Sequence, residues 1–334
     1  MDHIVGQTIV NDIINEYGVT IVPANTTISK ESLQLILNHK IDLESISFLR
    51  REESREELTT LVNETVKKAK GLFESIHASR KIPVLEIRNE IIPAIQAACN
   101  TNNVFELFDA VRAKDDYTYE HNVGVGILST YIGRWMGLSE TELSILSLGA
   151  ILHDVGKVKI PQHILTKPGK LTDDEFQQVK KHTIYGYELM KDTPGLNPRI
   201  ALIALQHHER EDGSGYPLGI KGNQIDPLSS IVAVADIYHA MSSKRPYHAP
   251  IPFYEIVTQM RDGKFGVLNP NIVSVFLENV MKKLVGEQVV LTDDRMGEVV
   301  YLNPHRIETP LIKVDNEFID LSLSSTIQIK EIRI

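Results

Sequence analysis

LHDVGKVKIP, residues 152–161, and QHHEREDGSGYP, residues 206–217, decide how the rest of the chain is read. The first sets His153 beside Asp154, with Lys157 one helical turn later. The second sets His207 beside His208, ahead of a glycine-rich turn ending Gly215-Tyr216-Pro217. Two adjacent pairs of ligand type in one chain point to a metal cluster rather than to scattered polar residues. Imidazole with carboxylate suits a first-row transition metal, and a metal so held can generate hydroxide at neutral pH.

The flanking helical patterns add ligand-type residues of the same kind. In residues 117–137, Val125, Leu128, Ile132 and Trp135 form an apolar stripe at helical spacing, and His121 stands one turn before it on the same face. Leu146 and Ala150 lead to His153, Val179 to His182, and Ile200 and Ile203 to His207, with His208 at the helix end. Asp236 interrupts the apolar run of residues 228–243, four residues after Val232. Each of these groups is predicted to point into a helical core, where a lone buried ionisable group costs several kcal/mol. A single buried histidine ordinarily satisfies itself on a backbone carbonyl, but five helices aiming such residues inward are satisfied together by a shared metal site. His121, His153, Asp154 and Asp236 suffice for one octahedral metal with room for water. His182, His207 and His208 supply a second, and Asp154, with two oxygens, is the natural bridge. Two metals about 3.5–4 Å apart can clamp both oxygens of an in-line displacement at phosphorus. The histidine-rich set favours iron or manganese over magnesium, so two divalent transition-metal ions are expected.

These stretches resemble the HD-GYP family, a branch of the HD-domain metal-dependent phosphohydrolases. The resemblance covers residues 111–284 and is carried by DDYTYEHN around His121, HDVGK with its IP, ILTKPGKLT, HHE with DGSGYP, and VADIYHAMSSKRPY. It implies an HD-type helical bundle that hydrolyses the bacterial second messenger cyclic di-GMP to pGpG, with a further cut to GMP open, through hydroxide shared by the two metals. It further implies that Lys157 contacts phosphate and that Tyr216 and Arg245 contact substrate, the GYP turn forming a wall of the substrate pocket. Four positions depart from the family pattern. Tyr117 stands where some members carry a glutamate for a third metal, which leaves two expected here. Glu211 replaces a common tryptophan, His239 a common aspartate, and His248 lies near Arg245 where another cation sometimes meets substrate. His3, His39, His77, His163 and His305 lack partners in the pattern and are expected at surface or loop positions. Two rival readings remain: an HD phosphohydrolase for another cyclic dinucleotide or a nucleotide, and a cyclic di-GMP receptor with little turnover.

The remaining features bound the chain. Its 334 residues exceed one small domain, and 42% apolar with 24% charged residues is ordinary for a folded protein. A formal charge of −9 argues against a polymeric nucleic-acid partner, though metals and a few cations can reverse the field locally. The single cysteine, Cys99, rules out an internal disulfide framework and is expected in the core. With neither a signal peptide nor an apolar run long enough to span a bilayer, a cytoplasmic location is expected. The expected class is mainly α, in three parts. Residues 1–110 read as a small α+β module and helical linker that regulates or dimerises, receiving a second copy or a signalling protein. Residues 111–285 read as the catalytic bundle and 286–334 as a β-rich module of about five strands. Within the first part, residues 6–13 and 18–25 read as strands, residues 30–39 as a helix opened by Ser29, and Pro83 and Pro93 as helix breaks.

Overall fold

The computed structural model describes residues 4–333 apart from 6, 8, 10, 16, 25, 44, 45, 47–50, 102, 113–116, 244–250, 264, 265, 304, 305 and 325, and apart from the side chains of 51–54, 117 and 118. The chain divides into two units, Met1–Thr60 and Leu61–Ile334. In the first, β1 (Ile13–Ile14) pairs antiparallel with β2 (Thr20–Val22), Ile13 lying opposite Val22. Ser29 caps α1 (Lys30–Asn38) by accepting the Ser32 N–H, as its residue type predicts. The core gathers Ile4, Ile9, Ile13, Val22, Ile28, Leu33 and Ile36. The first strand falls later than the expected 6–13. Asn15 closes the turn, its Oδ1 accepting from Val19 N and its own N–H donating to Val19 O, and this fixes the pairing at Ile13. Gln7 and Ile9 instead bond across to Ile28 and Thr26.

The long helix α2 (Arg51–Ser79) is followed by α3 (Val84–Glu86), a π-helical turn at Ile87–Ile91, α4 (Ile92–Ala98) and α5 (Val104–Ala110). Pro83 falls in a helix break as expected, between the end of α2 and the start of α3, but Pro93 does not break one. The π turn upstream absorbs the missing donor, and Pro93 sits in the first turn of α4, where no intrahelical N–H bond is required. Cys99 is buried and its thiol donates to Ile127 O at 3.4 Å.

The centre of the second unit is α6 (Tyr117–Trp135), buried from His121 to Gly133 on every side rather than along one stripe. It is packed by α4, α7 (Glu140–Leu152), α12 (Pro227–Ser242) and α14 (Pro270–Leu284), which together wrap it. Around these lie α8 (Gln162–Leu165), α9 (Asp173–Lys180), α10 (His182–Met190), α11 (Pro198–Gln206) and α13 (Phe253–Arg261). Capping boxes start α7 (Ser139 with Glu142) and α9 (Thr172 with Glu175). Three helices begin with a side-chain cap followed by proline: Asn197-Pro198, Asp226-Pro227 and Asn269-Pro270. Asp226 does more than cap α12. Its carboxylate takes Arg199 of α11 through Nε at 2.7 Å and Nη2 at 2.9 Å, and its N–H donates to Gln206, so the ends of α11 and α12 are tied together.

The five expected C-terminal strands all form: β3 (Gln288–Leu291), β4 (Met296–Asn303), β5 (Arg306–Val314), β6 (Glu317–Asp320) and β7 (Ile329–Arg333). They make an antiparallel sheet in the order β6-β5-β4-β3-β7. Alternation buries Val289, Leu291, Val299, Ile312 and Ile329, and the sheet meets α13 and α14 within the same unit. Among the described residues no helix is long and apolar enough to cross a membrane.

Candidate metal centre

Five helices deliver the expected residues to one place. His121 comes from the first turns of α6, and His153 and Asp154 from the C-terminal end of α7. His182 opens α10, His207 and His208 end α11, and Asp236 lies in the middle of α12. Gly156 makes the assembly possible, because a Cβ there would meet the carbonyl oxygen of His182 at 1.9 Å. Only glycine lets the His153-Asp154 corner lie so close to the start of α10.

The side chains converge on Asp154. Its Oδ1 lies 3.2 Å from His182 Nε2, and its Oδ2 lies 3.3 Å from His153 Nε2 and 3.8 Å from His121 Nε2. Asp236 Oδ1 is 3.1 Å from His121 Nε2, and the Nε2 atoms of His182 and His207 are 3.4 Å apart. Two separate triads, His121-His153-Asp236 and His182-His207-His208, each have ligand atoms within 4.8 Å of one another, as does the linking set His153-Asp154-His207. All but the half-buried His208 are buried.

Backbone carbonyls orient three of the rings. His153 Nδ1 lies 2.6 Å from Ala150 O, His182 Nδ1 2.7 Å from Val179 O, and His207 Nδ1 3.0 Å from Ala204 O. A carbonyl only accepts, so Nδ1 carries the proton in each, and the Nε2 lone pair of the neutral ring faces the centre. Burial holds the imidazolium forms of His121, His207 and His208 below their ordinary range and brings His182 down to about 4. Lone pairs are therefore available at neutral pH. Burial also acts on His153, but the adjacent Asp154 carboxylate outweighs it and pushes that imidazole up. Burial opposes ionisation of Asp154 and Asp236, yet Lys157 and His153 hold the first, and His121 the second, well below the usual carboxylate range.

Two atoms test whether a metal fits. His153 Nε2 and Asp154 Oδ1 are buried without a hydrogen-bond partner, a state that costs about 1–3 kcal/mol each. Both face the point where the donors converge, and a cation there satisfies both. The donor set, five imidazoles and two carboxylates, is that of a first-row transition metal site.

The expected substrate residues are placed unevenly. Lys157 Nζ lies 2.5 Å from Asp154 Oδ2, so the lysine leans onto the carboxylate rather than standing free. The Tyr216 ring stacks on His208 with centroids 4.6 Å apart, its N–H donates to His208 O, and Lys180 Nζ lies over the same ring, 5.1 Å from its centroid. Burial pushes its phenol up, so it stays a neutral donor. The Tyr216-Pro217 peptide is cis. Arg245, His248, His3 and His305 lie outside the described residues, as does the side chain of Tyr117. His39, His77 and His163 are exposed. Glu211 accepts from Asn269 Nδ2 at 2.9 Å and anchors the loop instead of lining the metal centre.

One residue of the HHE stretch was given no role from the sequence. Glu209, directly after the histidine pair, is buried and accepts the N–H of Leu218 at 2.6 Å and of Ile220 at 3.2 Å. It clips the far side of the GYP turn to the end of α11, and nothing in its spacing announces a carboxylate that folds back over nine residues.

Residues 106–265 match a family model described as the HD domain, a metal-dependent class. Over 210 residues the chain is 36% identical to a cyclic di-GMP phosphodiesterase of Pseudomonas aeruginosa, covering 62% of this chain and 50% of that one. Over 182 residues it is 40% identical to a cyclic di-GMP phosphodiesterase of Thermotoga maritima, covering 52% and 49%. The chain thus spans about half the length of the curated relatives it matches. The solved structure of an HDG"Y"P protein from Bdellovibrio bacteriovorus superposes with a TM-score of 0.54 at 19% identity, over 84% of this chain and 95% of that one, a likeness of fold.

Proposed function

We propose, from the match of residues 106–265 to the HD-domain model, that the protein is a metal-dependent phosphodiesterase that opens cyclic di-GMP to pGpG, with a further cut to GMP open. The observation that carries the reading is the approach of His153 from one ligand triad and His182 from the other to the two oxygens of Asp154. The relatives' names support the substrate, and the donor set supports two divalent ions, iron or manganese. In this reading His121, His153 and Asp236 hold one ion, His182, His207 and His208 the other, and Asp154 both. When bound, such a pair supplies Lewis acidity and water of lowered pKa.

The chain's own residues do the remainder. Two carboxylates against two divalent ions leave the site about two charges positive, which draws a phosphodiester anion into a protein of net charge −9. Lys157 moves from Asp154 to a non-bridging phosphoryl oxygen, where a compact ammonium stabilises the charge that builds in the transition state. Tyr216, held by its stack on His208 and by the Glu209 clip, forms the wall against which substrate is oriented, and the family resemblance makes Arg245 a second substrate contact. Residues 1–110 regulate or dimerise and 286–334 support the bundle. A cytoplasmic location follows from the messenger substrate and accords with the lone buried thiol of Cys99.

Protein loaded with Mn²⁺ or Fe²⁺ and incubated with cyclic di-GMP is expected to yield pGpG, then GMP, by chromatography. Cyclic di-GMP retained without product would establish a receptor instead, and turnover of cyclic GMP-AMP or a mononucleotide alone would move the substrate class.

A further inference from the structure

His239 lies on α12 one turn beyond Asp236 and is 0% exposed. Its Nδ1 is 3.0 Å from Nδ1 of His121, and its Nε2 is 2.8 Å from the carbonyl oxygen of Val111. Val111 caps the C-terminal end of α5, where helix carbonyls lack intrahelical partners. From these contacts we infer that His239 is a positioning residue that fixes the proton of His121 on Nδ1 and so presents its Nε2 to a metal.

The argument is a count of protons. The carbonyl of Val111 can only accept, so His239 Nε2 carries a hydrogen. A neutral imidazole has one ring hydrogen, and a second would leave an imidazolium at a fully buried position, a costly state. His239 Nδ1 is therefore an acceptor, and the proton in the 3.0 Å contact belongs to His121. With Nδ1 of His121 protonated, its Nε2 is the atom left for a cation, and it faces Asp236 Oδ1 at 3.1 Å and Asp154 Oδ2 at 3.8 Å. Ser243 Oγ, 3.4 Å from His239 Nδ1, is a hydroxyl and can add a donor there without altering this assignment.

The packing of α6 supports the role. His153, His182 and His207 are oriented by carbonyls three residues back on their own chain segments. His121 instead reaches its partner on another helix, 118 residues away. Gly124, one turn after His121, leaves the space for that partner, since a Cβ there would lie 2.2 Å from His239 Nε2. Fixing the free nitrogen of a ligating histidine in this way characteristically governs metal affinity by about 10- to 100-fold.

The inference rests on the reading that His121 holds a metal, and its tests read protons and metal uptake rather than turnover. Long-range ¹H–¹⁵N spectra of the Zn²⁺-loaded protein are expected to show His121 protonated at Nδ1 and His239 at Nε2. The opposite pattern in either ring overturns the proposal without any variant. Mn²⁺ titration of metal-free protein followed by electron paramagnetic resonance is expected to show one site weakened about 10- to 100-fold in His239→Leu, with the other site intact. His239→Asn, which puts an amide oxygen in place of the Nδ1 acceptor, is expected to restore affinity to within about threefold of wild type. A folded His239→Leu protein with an unchanged titration, or an Asn variant as weak as Leu, overturns it. Wild-type protein that takes up no Mn²⁺ removes the metal reading as well, whereas metal uptake without cyclic di-GMP turnover touches only the proposed activity.

Discussion

Lys157 Nζ lies 2.5 Å from Oδ2 of Asp154, the carboxylate that His153 and His182 approach from the two ligand triads. The lysine side chain is 29% exposed while the aspartate is buried, so the ammonium can leave the pair toward solvent but the carboxylate cannot. Were Asp154 to hold a cation through this oxygen, the Lys157 ammonium would be freed to meet a phosphoryl oxygen.

Replacing Lys157 with Met is therefore expected to separate binding from chemistry. Metal affinity should hold or rise, since a competing cation is gone, while kcat falls on the order of 10²-fold through loss of one charged donor. Mn²⁺ titration and single-turnover hydrolysis check the pair. A variant that loses its metal with its activity would show the lysine to be a structural counter-charge.

Asp154→Ala is expected to abolish turnover and to reduce bound metal to one equivalent or fewer, because the carboxylate reaches both triads. Elemental analysis beside product chromatography decides this. Full activity, or two equivalents retained, would rule out the bridge.

Glu209→Gln tests the clip on the GYP turn. One of the two backbone N–H groups now held by the carboxylate would face an amide NH₂, and an unsatisfied buried donor costs about 1–3 kcal/mol. KM is expected to rise about 10-fold with kcat little changed, matching Tyr216→Ala. If kcat falls and KM stays, the loop acts on chemistry rather than on binding.

Acid should loosen the metal-free protein in a defined window. Burial holds His182 at about 4 against an ordinary 6.5, with His121, His207 and His208 also lowered, so the unfolded chain binds more protons than the folded one between those values. Their contribution is complete above pH 6.5 and is lost as pH falls to about 4 and below. Asp154 and Asp236, held below 3.8, lose theirs in the same direction at still lower pH. His153, raised by Asp154, works oppositely: its contribution is full below 6.5 and fades as pH rises past its folded value. Four lowered imidazoles against one raised give a Tm of the metal-free protein that drops between pH 6.5 and 4 in scanning calorimetry. A flat or rising Tm over that range would mean that these rings are not buried neutral.

Much of the helical bundle and the β tail was legible because periodicity reports which way a side chain faces within its own element. His121 before the Val125-Leu128-Ile132 stripe and Asp236 after Val232 could be assigned inward on that ground alone, and short β-branched runs set off by turn residues marked β3 through β7. The stripe understated α6, which is buried all round, because one helix's pattern does not say how many neighbours will wrap it. Pro93 was misread for a local reason: the π turn that accommodates it leaves no mark in residue types.

His121 and Asp236 announced themselves as ligand types from helical register and residue chemistry, and so did the paired residues of HDVGK and HHE. Their side chains needed only the right chemistry and the right face. Which atom meets which was settled by tertiary packing. The 118-residue reach from His121 to His239, the space that Gly124 leaves for that ring, the approach of Gly156 to the His182 carbonyl, and the lean of Lys157 onto Asp154 all depend on distances between elements. Local sequence encodes direction within an element. Hydrogen-bond partners and proton positions arise only when separate helices are brought within about 3 Å of one another.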